Sequence, residues 1–228
     1  MQQTISRLLT ALSLCALVAC EDLSVSADSV GKEGLPVGTG FDFYVLALSW
    51  SPGYCQSQGD RANQQQCGPG KSFDWIVHGL WPQFQSGYPE FCEPGTRDRV
   101  PNELVSATLD IMPSTGLIGH QWRKHGSCSG LNQRAYFETT RRAFNMIEKP
   151  EIDAGRVQSF RQDHLSIEEA FLNANSDLRP EYVGVTCDRR FLRDVRICLT
   201  KDLKSFVSCP EVDRRHCQLP DMVVVPAN

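Results

Sequence analysis

Eight cysteines constrain this chain more than any other feature of its sequence. Ten cysteines occur in the 228 residues, but two belong to an N-terminal segment of different character. Residues 1–7 carry one positive charge, and residues 8–19 are apolar apart from Thr10, Ser13 and Cys15. That pattern predicts an export signal, too short to span a bilayer stably. Cys15 lies inside it and Cys20 directly follows it. The remaining set is Cys55, Cys67, Cys92, Cys128, Cys187, Cys198, Cys209 and Cys217. An even set in an exported chain implies four disulfides. None of these cysteines shows Cys-x-x-Cys spacing, so a structural metal is the weaker reading. Residue types alone leave about 105 pairings open.

The signal can be cut in two ways. Leu17-Val18-Ala19-Cys20 has the pattern at which a bacterial leader is removed and the new N-terminal cysteine lipidated, giving a membrane-anchored chain. The rival is cleavage after Ala27. The first is expected, because Cys20 sits at the end of the apolar run. Residues 1–19 then form the signal, 20–40 a flexible tether rich in Gly and Ser, and 41–228 one domain. The expected location is periplasmic, as an anchored lipoprotein, or secreted. The formal net charge of −4 excludes a general nucleic-acid binder, since phosphate contacts need Lys and Arg. Any nucleic-acid binding must be local.

Residues 43–50 read as a buried strand. Residues 51–71 read as a long polar loop, closed by Cys55 and Cys67. A second strand, 73–77, runs into His78-Gly79-Leu80-Trp81-Pro82-Gln83, with a turn at 84–87. Helices are expected over 102–112, with Asn102 as N-cap, over 117–125, stopped by Gly126, and over 132–147. A short one opens at Ser166 and runs through Leu172. Residues 182–186, 191–200 and 205–209 are short β-type runs. Helices and strands without regular alternation imply an α+β fold.

Of five histidines, two fall within Gly119-His120-Gln121-Trp122-Arg123-Lys124-His125-Gly126. On a helix, His120, Gln121, Lys124 and His125 occupy an arc of roughly 140°, while Trp122 points elsewhere and packs. His78 ends a strand-like run. His164 and His216 stand in no cluster and read as ordinary residues. Two histidines, a lysine and no evident nucleophile suit a substrate that carries its own nucleophile, such as the ribose 2′-OH of RNA. One imidazole takes the 2′ proton and the other protonates the leaving 5′ oxygen. Lys124 and a charged His120 would stabilise the phosphorane. The product is a 2′,3′-cyclic phosphate, and DNA is spared because it lacks the 2′-OH. A zinc protease would need His-Glu-x-x-His, and a serine hydrolase a Gly-x-Ser-x-Gly elbow; neither is present. A non-catalytic RNA binder would not need both His78 and His125, and a structural envelope lipoprotein leaves the polar helix face unexplained.

Two segments resemble the active-site segments of the ribonuclease T2 family: Phe73-Asp74-Trp75-Ile76-Val77-His78-Gly79-Leu80-Trp81-Pro82 and His120-Gln121-Trp122-Arg123-Lys124-His125-Gly126-Ser127-Cys128. The likeness extends from about Phe41 through Cys217, taking in Leu46-Ala47-Leu48-Ser49-Trp50 and Tyr54-Cys55-Gln56. It implies an α+β fold with a central antiparallel sheet, several helices and four disulfides. It also implies metal-independent endonucleolytic cleavage of RNA to 3′-phosphate ends. The expected substrate is single-stranded RNA, with no cofactor, and the expected state is a monomer. His78 and His125 would be the acid–base pair, His120 the phosphate binder and Lys124 the transition-state stabiliser. Trp81 and Tyr88 would stack on a base, with Gln56 and Gln83 beside it. Gln121, counted with the catalytic residues, stands where the family usually has Glu; its amide can hydrogen-bond a phosphoryl oxygen but cannot carry charge or exchange protons near neutral pH. Gln83 stands where some members have an Asp that reads the base. The resemblance also implies the pairs Cys55–Cys67, Cys92–Cys128, Cys187–Cys217 and Cys198–Cys209.

Overall fold

The computed structural model of the protein describes residues 36–92 and 99–227. The expected signal, Cys20 and Ala27 lie outside the described residues. Strand β1 (Phe43–Trp50) is buried along its whole length, as its unbroken apolar run requires. It pairs antiparallel with β2 (Trp75–Gln83) on one side and β5 (Phe191–Leu199) on the other. Strand β4 (Val183–Asp188) joins β5 antiparallel. Two three-residue strands, β3 (Phe160–Gln162) and β6 (Met222–Val224), complete a six-stranded sheet. The β5–β6 contact is parallel, so the sheet is antiparallel with one exception.

One face of the sheet carries the main core. Leu46, Leu48, Val77, Leu80, Val195 and Ile197 pack there under Trp122, Tyr136 and Phe171 from the helices. Three of those helices are α4 (Thr115–Lys124), α5 (Gln133–Asn145) and α6 (His164–Ala174). Each starts on a capped turn. The Ser114 hydroxyl accepts from Leu117 N–H, Asn132 from Ala135 N–H and Asp163 from Ser166 N–H. Ser166 is thus a donor inside α6, and the helix cap expected there belongs to Asp163. Gly38 and Thr39, read with the tether, meet the domain, where Thr39 N–H donates to the Ser129 carbonyl at 3.0 Å.

The structure corrects four further readings. Residues 51–71 are not a plain loop but hold α1 (Ser51–Gln58) and α2 (Gln64–Cys67). Their polar sequence lacks an amphipathic stripe; tertiary contacts fix them instead. Gln66 donates to the Ser51 hydroxyl at 2.9 Å in the interior, and Cys55–Cys67 staples the two helices. The helix expected over 102–112 is only α3 (Asn102–Ser106), with Pro101 at its cap position and Asn102 already inside. The following chain turns so that the Ile111 carbonyl can accept from Val77 N–H at 2.8 Å. Residues 205–209 make a single bridge, Leu199 to Phe206, after a turn in which Leu203 takes a left-handed conformation. Gly126 does not stop α4 through a left-handed turn. It opens a 3₁₀ turn, and a Cβ there would overlap the Trp122 and Tyr136 rings.

Four disulfides are formed: Cys55–Cys67, Cys92–Cys128, Cys187–Cys217 and Cys198–Cys209. Cys92–Cys128 ties the chain beyond β2 to the turn that follows α4. The C-terminal pairs clamp β4, β5 and the short helix α7 (Pro210–Asp213) to one another.

Candidate active site

Two irregularities in the sheet create the site. Ala47 of β1 faces Gly79 and Leu48 faces Val77, so His78 is an extra, unpaired residue in β2. Leu80 and Val77 both face the core. Simple alternation back from Leu80 would send residue 78 into the core as well. The bulge turns His78 to the opposite face, beside Gly79 and Trp81. His78 is therefore within a strand that runs on to Gln83, not at a strand end followed by a turn. A matching bulge lies in β5, where Thr186 faces Asp194 and Cys187 faces Leu192, leaving Arg193 unpaired with β4.

On this face lies a cavity of about 370 Å³. It brings together His78, Trp81, Gln83, Tyr88, His120, Gln121, Lys124 and His125. A neighbouring cavity of about 470 Å³ shares His78, His120 and Arg193 with it and extends past Ser49, Tyr54 and Leu117. Gln56 reaches neither; it lines a separate groove with Lys71, Phe73 and Val225.

Trp81 sits between the two histidines. Its ring centroid is 5.3 Å from that of His78, edge-on, and 5.2 Å from that of His125, stacked at 28°. Its indole N–H donates to Gln121 Oε1 at 2.8 Å. Gly79 is required here, because a Cβ would overlap both Gln121 Oε1 and Trp81 Nε1. Gln121 is buried, so the amide acts as the acceptor that orients Trp81.

His125 caps the C-terminal end of α4, and its N–H donates to the Gln121 carbonyl at 3.0 Å. The side chain is buried, and Nδ1 has no hydrogen-bond partner. Burial first, then the positive charges of Lys124, His78 and His120, lowers its pKa from 6.5 to about 3. The His120 pKa is lowered too, again by burial first and then by Lys124, Arg123 and His78. Lys124 lies 3.3 Å from a Glu90 carboxylate oxygen and 5.9 Å from the Phe91 ring centroid. Gln83 is buried and donates to the Gly87 carbonyl at 3.0 Å, which secures the 84–87 turn. Tyr88 stands half-open at the mouth, its ring 6.5 Å from that of His125.

The wall opposite α4 was not anticipated from the sequence. It consists of Arg193, Arg196 and Arg215, with Glu211 paired to Arg215. The Arg196 guanidinium lies 5.3 Å from the Trp81 ring centroid. Asp194 is wholly buried; His78 Nδ1 lies 3.2 and 3.3 Å from its two oxygens. Burial alone would push the Asp194 pKa up. The His78 charge and hydrogen bond, together with Arg196 and Arg193, outweigh it and hold the carboxyl below its ordinary value. The available signal was Arg193-Asp194-Val195-Arg196, three charges interrupting an apolar strand. His164 and His216 also differ from expectation. Their rings stack on each other, centroids 4.5 Å apart, and neither lines either cavity.

The ribonuclease T2 family model matches residues 41–209. The chain belongs to the ribonuclease T2 family. A probable ribonuclease of Haemophilus influenzae is 35% identical over 170 residues, covering 68% of this chain and 61% of that protein's length. A ribonuclease of Aeromonas hydrophila is 34% identical over 194 residues, covering 81% and 85%. Among solved structures, an RNase-related protein from Calystegia sepium superposes with a TM-score of 0.63 at 23% identity, covering 83% of this chain and 98% of that one. A variant of RNase MC1 in complex with 5′-UMP gives 0.61 at 18% identity, covering 82% and 99%. At these identities the two structures speak for the fold alone. In this ribonuclease T2 domain, His78 comes from the bulged strand of the sheet and His120, Gln121, Lys124 and His125 from α4, so the two family segments line one cavity.

Proposed function

We propose that the protein is an endoribonuclease that cleaves single-stranded RNA by transphosphorylation, with His78 and His125 as its proton-transfer pair and no metal. The observation that carries this reading is the convergence of both imidazoles on one cavity, spaced by Trp81.

His125 is the base of the first step. Its lowered pKa keeps it unprotonated, as a base must be at the start, and the negative charge of a bound phosphate would raise that pKa toward the working range. Nδ1 is sealed in the interior, which leaves Nε2 to take the 2′-OH proton. The 2′ oxygen attacks phosphorus, the bond to the 5′ oxygen breaks, and His78 gives that oxygen a proton. A 2′,3′-cyclic phosphate results. Water then opens it with the two roles exchanged, leaving a 3′-phosphate. His120 and Lys124 face the same space and bind the phosphoryl oxygens. Arg193, Arg196 and Arg215 give an acidic protein its local positive field. With His125 stacked on it and Arg196 over it, Trp81 has less ring to offer a base than its place in the sequence implied. The open ring of Tyr88 is the better platform. Gln56 has no part in this assignment.

The test is incubation of the purified oxidised protein with RNA and with DNA of the same sequence, in excess chelator. RNA should be cut to fragments that carry 2′,3′-cyclic and then 3′-phosphates by mass spectrometry, and DNA should survive. Intact RNA would refute the proposal. We also propose export, which four disulfides favour, and a lipid anchor at Cys20. Cys20→Ser should abolish acyl labelling and release the protein from membranes.

A further inference from the structure

We propose that Asp194 is the positioning residue of this site: its buried carboxylate holds the proton of His78 on Nδ1 and so presents Nε2 to the cavity. The consequence for catalysis rests on the ribonuclease reading above; the contact itself does not.

Three observations converge. Asp194 has no exposed surface, so its charge is a costly feature that the interior must compensate. Compensation comes from three sides. His78 Nδ1 lies 3.2 and 3.3 Å from the two oxygens, Arg193 Nε lies 3.6 Å away and Arg196 4.0 Å. An ionised carboxylate can only accept hydrogen bonds. The imidazole nitrogen facing it must therefore be a donor, which fixes the tautomer and the ring orientation together. The same relation governs an Asp behind a catalytic histidine in serine proteases, where the carboxylate orients the ring without itself taking a proton.

The second observation is the bulge. His78 is the one residue of β2 without a partner in β1, so the ladder does not fix its side chain. A hydrogen bond from another strand supplies what the ladder lacks. The third is register. Asp194 faces Ser49 across β1–β5 and Thr186 across β4–β5, which roots the carboxylate in the middle of the sheet. Its neighbour Arg193 occupies the β5 bulge and lines both cavities. The β2 bulge thus brings His78 to the carboxylate of Asp194, which β5 holds in register on the other side of β1.

Two measurements test this. In wild-type protein at pH 8, two-bond ¹H–¹⁵N spectra of the histidine rings should show His78 as the Nδ1–H tautomer. In Asp194→Asn the amide can offer Nδ1 either a donor or an acceptor, so that signature should weaken or invert. On RNA, kcat of the variant should fall about 10²–10⁴-fold, with KM within about twofold, while far-UV circular dichroism is retained. An Nε2–H tautomer in the wild type would overturn the proposal, as would a folded Asp194→Asn variant with kcat within threefold of wild type. If Asp194→Asn does not fold, the wild-type spectrum decides. Should wild-type protein leave RNA intact, the ribonuclease reading fails, and the tautomer still judges the Asp194–His78 contact.

Discussion

The two walls of the cavity are built differently. One is α4, whose His120, Gln121, Lys124 and His125 come from six consecutive residues and share a helix face. The other is β5, central in the sheet between β1 and β4, whose Arg193, Asp194 and Arg196 interrupt an apolar strand. The helix carries two imidazoles, an amide and an ammonium and is tied down by Cys92–Cys128. The strand carries fixed charges and is held by two ladders. The difference teaches that a dense polar face can come from local helix geometry, while the buried carboxylate and its countercharges need strands distant in the chain to be brought into register.

The contrast breaks first at the histidines. His125→Ala should lower kcat on RNA about 10²–10⁴-fold, equivalent to about 3–5 kcal/mol of transition-state stabilisation, with circular dichroism unchanged. If the strand wall alone supported cleavage, the loss would stay within tenfold. Next comes the tether. Replacing Cys92 and Cys128 together by Ala should cost about 2–4 kcal/mol in urea unfolding, and activity should fall before the global midpoint is reached. A single transition for fold and activity would show that the helix wall needs no clamp of its own.

A pH profile sharpens the difference further. The fold holds His125 neutral down to about pH 3, whereas an unfolded histidine protonates near its ordinary value of about 6.5. Its contribution to stability is complete above that value and is lost as pH falls from there toward 3. Its effect on kcat/KM for the free enzyme follows the folded value, so an acid limb due to His125 should appear only near pH 3. Gln121→Glu places a negative charge beside His125 and should move that limb to higher pH, with kcat changed less than tenfold. An unshifted limb would separate Gln121 from the base. The smallest effect is expected at Arg193. Arg193→Ala should weaken RNA binding several-fold and lower the slope of log K against log salt by about 0.7, with kcat at saturation nearly unchanged.

Much of this was legible beforehand. The unbroken apolar run of β1 read as a buried strand because both its faces are covered. The helix wall was visible because α-helical periodicity brings residues four apart onto one face. The strand wall was not, since Asp194 is 116 residues from His78 and no local period links them. Helices α1 and α2 were missed because staples and buried amides, not an apolar stripe, hold them. The stacked pair His164 and His216 escaped notice because the two lie in distant segments that only packing joins.

By itself the sequence determined that this chain carries a four-residue polar face on one helix, a histidine in a strand, and cysteines for four disulfides. Those follow from residue type and short-range geometry, which any chain inherits from its backbone. The tertiary structure alone decided that His78 faces away from the core, that Trp81 spaces the two imidazoles, and that a buried carboxylate stands behind one of them. Each depends on register between strands far apart in the chain. A single extra residue in a ladder reverses the face on which a side chain falls, and no local pattern reports it.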